Sequence, residues 1–500
     1  MDTNLIKADL ARLLEYAKLH LDLDEEDATY VNNLLLKDLC LDAPYEGEVK
    51  TSDLASLLVP DTLLENFVPY MVENLGMKQK KAERELVYIL GLLTPMPSKV
   101  NKTFFSLRDK DPKMATDYFY NLCLKNQYVF KTKIDKNLLF TAHYEDGPDL
   151  DISINLSKPE KNNKDIAKLA DAKSSGYPAC LLCHENLGYE GRDNHPAREN
   201  IRLIPLTLGQ EKWYLQYSPY GYFKEHCILL SSKHEKMSIN KTNLSHLFEF
   251  VDLFPHYFIG SNSDLPIVGG SILNHEHFQG GLAEMPVMKS LVKKLVAHEK
   301  FPHTTLSILD FYDTVLRLDG LDKKEMLEFA CAIVDAWKHY DDPSCDIISS
   351  DENGQHSTVT PLLRKRGDSY QMFIILRNNR CDATYPDGIF HAHPEYAHIK
   401  HEGIGLIEAA GLFILPARLL RQGKEVSEIV KKGIPKEEYL KMDEGLDIFD
   451  DMVKKMKENG WSANDYYGYV CQNILRNVAV YKNDKKGEEG LDAFLRSVNL

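Results

Sequence analysis

An α+β fold is predicted, with mostly antiparallel sheets in a duplicated module set between a helical N-terminal region and a helical C-terminal segment. Three observations predict it. Leu10, Leu13, Leu14, Ala17 and Leu21 follow the spacing that places apolar residues on one helical stripe. From about Asp149 the period changes to two, with Leu150, Ile152, Ile154 and Leu156 alternating against polar neighbours as in a half-buried strand. The later half repeats the grammar of the earlier one, and each half carries a His-x-His unit, His275/His277 and His391/His393, 116 residues apart.

Residues 1–100 read as an all-helical region. The composition shift near Pro95 and Pro97 opens a second region, 101–300, with strands expected at Arg202 to Leu206, Trp213 to Tyr217, Cys227 to Ser231 and Pro266 to Leu273. Between the last two, Leu244, Leu247, Phe248 and Val251 form a helical stripe that Ser238 or Asn240 can cap. The polar stretch from Lys158 to Ala172, rich in lysine and asparagine, is expected to be a solvated loop or exposed helix. A third region, 301–500, starts with a helix from Met326 to Tyr340. Paired strands follow at Ser357 to Leu363 and Tyr370 to Leu376, around a turn at Arg366-Gly367-Asp368, and then a histidine-rich strand at Phe390. From Glu425 the pattern is helical again, with Ile448, Met452 and Met456 on one side.

Composition narrows the function. A chain of 500 residues with 43% hydrophobic and 27% charged residues has the make-up of a globular protein with a large core. Its net charge of −15 opposes broad adhesion to nucleic acid or anionic lipid, so neither partner is expected and an anionic ligand must be held locally. Nine cysteines, an odd number thinly spread, suit a reduced, cytoplasmic protein. Asp2, Lys7, Asp9 and Arg12 interrupt any apolar signal core. The greasy run from Ile404 to Leu415 is broken by Glu408 and is short of the roughly 20 residues that cross a bilayer.

Three clusters could carry chemistry. In Gly269-Gly270-Ser271-Ile272-Leu273-Asn274-His275-Glu276-His277-Phe278-Gln279-Gly280-Gly281, a strand would put His275, His277 and Gln279 on one face, neighbours about 7 Å apart, with Glu276 and Phe278 on the other. A neutral imidazole there can attack phosphorus or bind metal; buried or surface histidines beside a flexible turn are the plain alternative. Cys180-Leu181-Leu182-Cys183 has the spacing that lets two thiolates reach one tetrahedral metal, with His234 and His275 as candidates for the remaining ligands. A redox dithiol or two unligated thiols fit the same spacing. His391, His393, His398 and His401 either hold a metal or form a polar strand end before a helix. For charge on a bound phosphate, Arg192, Arg198, Arg202 and Lys224 are possible donors.

From Tyr177 to Gly281 the chain resembles the second, bacterial type of galactose-1-phosphate uridylyltransferase family. The resemblance rests on Cys180-Leu-Leu-Cys183, Gly191-Arg192, His195-Pro196-Ala197-Arg198, Tyr217-Ser218-Pro219-Tyr220, Glu225-His226-Cys227, the run Pro255 to Asn262 and His275-Glu-His277-Phe-Gln279. It extends through Pro97 to Asn101 on one side and His391 to Arg418 on the other. The resemblance implies a histidine-triad-related fold duplicated within one chain, and a ping-pong exchange of UMP between UDP-glucose and galactose 1-phosphate. It implies that His277 is the nucleophile, that Gln279 hydrogen-bonds the transferring phosphoryl group, and that Asn200 and Asn262 contact the nucleotide. Carried over from the first type, it also implies zinc on Cys180, Cys183, His234 and His275, and it leaves a second metal at His391 and His393 open. A homodimer is implied as well. Glu276 and Phe278 depart from the first type, which has proline and a small residue there. Two other functions use the same residues: a histidine-triad dinucleotide hydrolase or phosphorylase, and a non-catalytic regulator that binds sugar nucleotides.

Overall fold

In the computed structural model, residues 2–157, 176–352, 354–440 and 449–498 are described. The polar stretch from Lys158 to Ala172 and the expected stripe position Ile448 lie outside the described residues. The chain divides into two units, the first comprising Met1–Lys136, Lys161–Gly221 and Glu225–His234, the second Asn137–Glu160, Tyr222–Lys224 and Glu235–Leu500.

The first unit begins with helix Thr3–His20, whose N-terminal amides are capped by Asp2 accepting from the Asn4 amide at 2.9 Å. It buries Leu10, Leu13, Leu14 and Ala17 of the expected stripe, with Ile6 added at its start, while the fifth expected position, Leu21, is buried as the C-cap. Further helices follow as far as Ile134, among them Gln79–Leu93, Pro97–Arg108 and Pro112–Lys125. This unit also carries three antiparallel strands, β3 (Ile204–Leu208), β4 (Glu211–Tyr217) and β5 (Cys227–Ser231). All three match expected strands, because their inward positions, such as Leu206, Trp213, Leu215 and Leu229, alternate with less buried ones.

The second unit carries β1 (Leu138–Ala142) and β2 (Leu150–Asn155), paired antiparallel, with β15 (Leu412–Pro416) parallel to β2. Its larger ladder joins β6 (Phe258–Gly260) and β7 (His277–Gly281) to β13 (Ser357–Arg366) and β14 (Ser369–Asn378). The ladder continues through β10 (Val315–Gly320) and β9 (Thr304–Leu309) to β8 (Val292–Val296), antiparallel throughout. A short hairpin pairs β11 (Ser350–Asp351) with β12 (Gly354–Gln355). The turn between β13 and β14 is the expected Arg366-Gly367-Asp368, with Gly367 at φ 62°. Helix Lys241–Leu253 is capped by Asn240, which accepts from the Asn243 amide at 3.1 Å, and helix Lys323–Trp337 by Asp322. One apolar core runs from Ile152 and Ile154 through Phe413 and Leu415 to Met452, Met456, Val470 and Ile474 on the C-terminal helices.

Two expected strands are not strands. Pro266 to Leu273 is a wound loop, in which Ile267 takes φ 71° and the Ser263–Gly269 bridge folds the chain back on itself. The apolar letters are the same as in a strand, but Pro266 has no amide to donate, and the close turn takes the place of a ladder. The histidine-rich segment at Phe390 is likewise a loop ending in a short turn at Pro394–Tyr396, its backbone turned by Gly388 at φ 114°.

Candidate active site and metal-ligand cluster

β7 starts at His277, so His275 and Glu276 precede the strand instead of lying on it, while His277 and Gln279 share one face. The His277 ring is buried, and its Nδ1 lies 2.8 Å from the His275 carbonyl oxygen. A carbonyl can only accept, so Nδ1 carries the proton and Nε2 keeps its lone pair. Burial holds the imidazole down at about 4, so the ring is neutral at neutral pH. Gln279 sits two residues along, opposite Gly260 of β6.

Glu276 faces the other way. It is buried, its Oε2 accepts from the Ser238 amide at 2.7 Å, and its own amide donates to the Glu235 carbonyl at 2.7 Å. Desolvation pushes its carboxyl up to about 8. Glu276 therefore stitches the start of β7 to the segment that leads into helix Lys241–Leu253, which explains why an acid is tolerated beside His277.

Asn262 is buried directly after β6, its Oδ1 accepting from the Leu406 amide at 2.9 Å. Gly270 and Gly405 press on this carboxamide: a Cβ at Gly270 would stand 2.6 Å from Asn262 Nδ2, and one at Gly405 2.9 Å from Oδ1. Asn200, in the first unit, is buried in a reciprocal clamp with Asn126. Its Nδ2 donates to the Asn126 carbonyl at 3.0 Å, and Asn126 Nδ2 donates to the Asn200 carbonyl at 2.7 Å.

The first unit brings three expected metal ligands together. Cys180 and Cys183 Sγ are 3.6 Å apart, Cys183 Sγ is 3.1 Å from His234 Nδ1, and all these atoms lie within 4.8 Å of one another. Two thiolates about 2.3 Å from a tetrahedral metal stand about 3.8 Å apart, so the donor set fits one small cation. The Leu182 amide also points at Cys180 Sγ, 3.3 Å away, a donor suited to a thiolate. His275, the fourth expected ligand, is buried in the second unit. No such convergence occurs at the other histidines among the described residues. His391 Nε2 accepts from the Ile404 amide at 3.2 Å, and His393 Nε2 donates to the Ile389 carbonyl at 3.0 Å while its ring stacks on Tyr385.

Arg202 is not available to a phosphate. Buried in the first unit, its five N–H groups reach five carbonyls, those of Pro95, Glu199, Ile201, Gly91 and Thr94, at 2.6 to 3.2 Å. Arg192 is bound to Asn194, Tyr189 and the Tyr177 carbonyl, and Arg198 lies over the Tyr128 ring. A residue to which sequence reasoning attached no role is Asn186, whose Nδ2 meets the carbonyls of both Cys180 and Cys183. Its position three residues after the second cysteine was the available signal.

A buried, neutral histidine whose Nε2 keeps its lone pair, on a strand of an antiparallel ladder, has the chemistry that a nucleotidyl-transferring enzyme needs. Family comparison agrees: residues 23–236 match the galactose-1-phosphate uridyl transferase N-terminal domain, and residues 249–442 its C-terminal domain. The chain belongs to the galactose-1-phosphate uridylyltransferase family. It is 38% identical to the galactose-1-phosphate uridylyltransferase of Fusobacterium nucleatum, over 98% of this chain and 97% of that one. The enzyme of the same name from Clostridium acetobutylicum is 38% identical over 98% and 99%, and that of Streptococcus mutans 39% over 96% of each chain. Among the described residues, no helix is long and apolar enough to cross a membrane.

Proposed function

We propose that this protein exchanges UMP between UDP-glucose and galactose 1-phosphate in two displacements at one phosphorus, through a uridylylated His277. The hydrogen bond from His277 Nδ1 to the His275 carbonyl carries this reading, because it leaves Nε2 as an unprotonated nucleophile held in one orientation. Nε2 attacks the α-phosphorus of UDP-glucose; the P–N bond forms as the bond to glucose 1-phosphate breaks, and that product leaves with the electron pair. A phosphate oxygen of galactose 1-phosphate then attacks the same phosphorus, the P–N bond breaks, and UDP-galactose departs. The positive charge that Nδ1–H shares in the intermediate is spread onto the His275 carbonyl.

Gln279, on the same face of β7, supplies an amide donor to a nonbridging oxygen of the transferring group. Asn262 and Asn200 contact the nucleotide, each already fixed by its own internal hydrogen bonds, so that little ordering remains for the substrate to impose. Zinc held by Cys180, Cys183, His234 and His275 would neutralise the two thiolates and pin His275, the residue whose carbonyl orients the nucleophile. The domain plan we propose is a helical region over 1–100, a catalytic module over 101–300 and a second, degenerate module over 301–500. The working form we propose is a cytoplasmic homodimer.

Incubation with UDP-glucose alone, followed by mass spectrometry of the peptide containing His277, tests the mechanism. A UMP adduct on His277 with one equivalent of glucose 1-phosphate released is expected. Steady exchange with no adduct would exclude the covalent route, and continuous UMP release without sugar phosphate would point instead to a hydrolase.

A further inference from the structure

Around the Cys-x-x-Cys turn lies a set of buried polar contacts that the transfer chemistry does not use. Asn186 is 2% exposed, and its Nδ2 donates to the Cys180 carbonyl at 2.9 Å and the Cys183 carbonyl at 2.7 Å. Both partners are acceptors only, so the orientation of the carboxamide is forced and Oδ1 must face the other way. There it meets His195 Nε2 at 2.5 Å, which must donate. His195 is 6% exposed, and its place is set by paired backbone bonds with Arg192 and by the edge of the Tyr189 ring at 5.3 Å. Tyr189 in turn accepts from Arg192 Nη1 at 2.8 Å. The loop closes tightly enough that a Cβ on Gly191, at φ 78°, would stand 2.5 Å from the Ala197 amide nitrogen.

We propose that Asn186, itself oriented by His195, is a positioning residue that holds the Cys180 and Cys183 carbonyls together, and so presets the two thiolates for one metal ion. This rests on the zinc reading given above. The physical argument is one of entropy and register. A Cys-x-x-Cys turn secured only by its own backbone bonds, Cys183 amide to Cys180 carbonyl at 3.3 Å and Asn186 amide to Cys183 carbonyl at 3.0 Å, can open between the cysteines. One carboxamide bonded to both cysteine carbonyls cannot stay satisfied if they separate, so the open form leaves a buried donor without a partner. The chelate is therefore held near its bound shape before the metal arrives, and the metal meets less ordering cost. Groups that orient ligands in this way typically change metal affinity by about 10- to 100-fold when removed.

The experiment compares zinc affinity, by competition with a chromogenic chelator, in the full-length protein and in Asn186→Asp, His195→Leu and His195→Gln. Asn186→Asp keeps the shape but sets a carboxylate oxygen against two carbonyls. A loss of zinc affinity of about 10-fold or more is expected there and in His195→Leu, with substantial recovery in His195→Gln, whose amide can still donate to Asn186 Oδ1. Cobalt-loaded protein gives a readout independent of activity, because the visible bands of tetrahedral thiolate-bound cobalt should weaken in the first two variants and persist in the third. Folding is followed by circular dichroism; should Asn186→Asp fail to fold, His195→Leu and His195→Gln decide the question. Wild-type zinc affinity in folded Asn186→Asp or His195→Leu overturns the proposal while leaving the zinc reading intact. Wild-type protein that takes up no zinc overturns the zinc reading itself.

Discussion

The Nδ1 of His277 is hydrogen-bonded to the carbonyl of His275, two residues back along the same chain, at 2.8 Å. Because that acceptor is backbone, it cannot be lost by changing the side chain at 275. A variant at 275 can therefore disturb a metal site and still leave the tautomer of 277 in place, which separates ligand function from nucleophile function experimentally.

His277→Asn removes the only nitrogen lone pair on this face of β7 that the mechanism uses. UMP exchange should fall by at least about 10⁴-fold, as when the nucleophile of a covalent enzyme is deleted, with the melting temperature little changed. Exchange assays on protein of verified fold check this; residual activity within 10-fold of wild type would remove His277 from the mechanism.

Cys183→Ser breaks the pair of thiolates and should leave the purified chain with little zinc, measured by elemental analysis beside wild type. Equal metal content in the two proteins would withdraw the ligand assignment.

Gly270→Ala places a methyl carbon 2.6 Å from Asn262 Nδ2, so the carboxamide must shift. If Asn262 contacts the nucleotide, kcat/KM for UDP-glucose should drop by about 10- to 100-fold, mostly in KM, while zinc content stays at the wild-type level. An unchanged KM would argue that Asn262 serves only the short helix Leu406–Ala409, whose first amide it accepts from.

Arg202→Leu strands five carbonyls that the guanidinium now satisfies, and should cost about 3 kcal/mol or more in urea unfolding. Arg202→Lys, with three donors in place of five, should recover only part of that. A loss of activity in folded Arg202→Lys without loss of stability would restore Arg202 as a phosphate donor.

His391 is held down at about 4 by burial, with the nearby Arg377 guanidinium acting in the same direction. Its folded value lies below the unfolded value of about 6.5, so its neutral form adds nothing unfavourable above that pH. As pH falls from about 6.5 toward 4, the unfolded chain takes up a proton that the folded one does not, and stability is lost. Asp313, raised to about 7 by burial, works in the opposite direction, so the wild-type curve alone does not isolate the histidine. The difference in unfolding free energy between wild type and His391→Gln should shrink by about 2 kcal/mol from pH 7 to pH 5. A difference independent of pH would show that His391 titrates normally.

Helix Thr3–His20 and strands β3 and β4 were legible because one face is buried more than the other, which writes a period into the sequence. The β13–β14 hairpin, buried on both faces over most of its length, was legible instead from the turn Arg366-Gly367-Asp368 between two strand-like runs. Pro266 to Leu273 and the segment at Phe390 misled for a related reason. Apolar runs suggest a buried strand, but in these loops burial is confined to a few positions, among them Val268 in one and Phe390 and His391 in the other, and neither segment joins a ladder. The charges misled in another way. Arg202 reads as a surface cation, and nothing in its spacing marks the five carbonyls that surround it, three of which come from residues more than a hundred positions away.

Spacing along the chain was enough to determine that two cysteines three apart can meet one metal, that His277 and Gln279 share a side of a strand, and that helices flank antiparallel sheets. Tertiary structure alone decided which nitrogen of His277 keeps its lone pair, that Arg202 is spent on backbone carbonyls, and that Asn186 and His195 close around the cysteine turn. The reason is physical: periodicity encodes which face of an element is buried, whereas a hydrogen bond depends on the position and direction of a partner atom, and that is set only when distant segments pack.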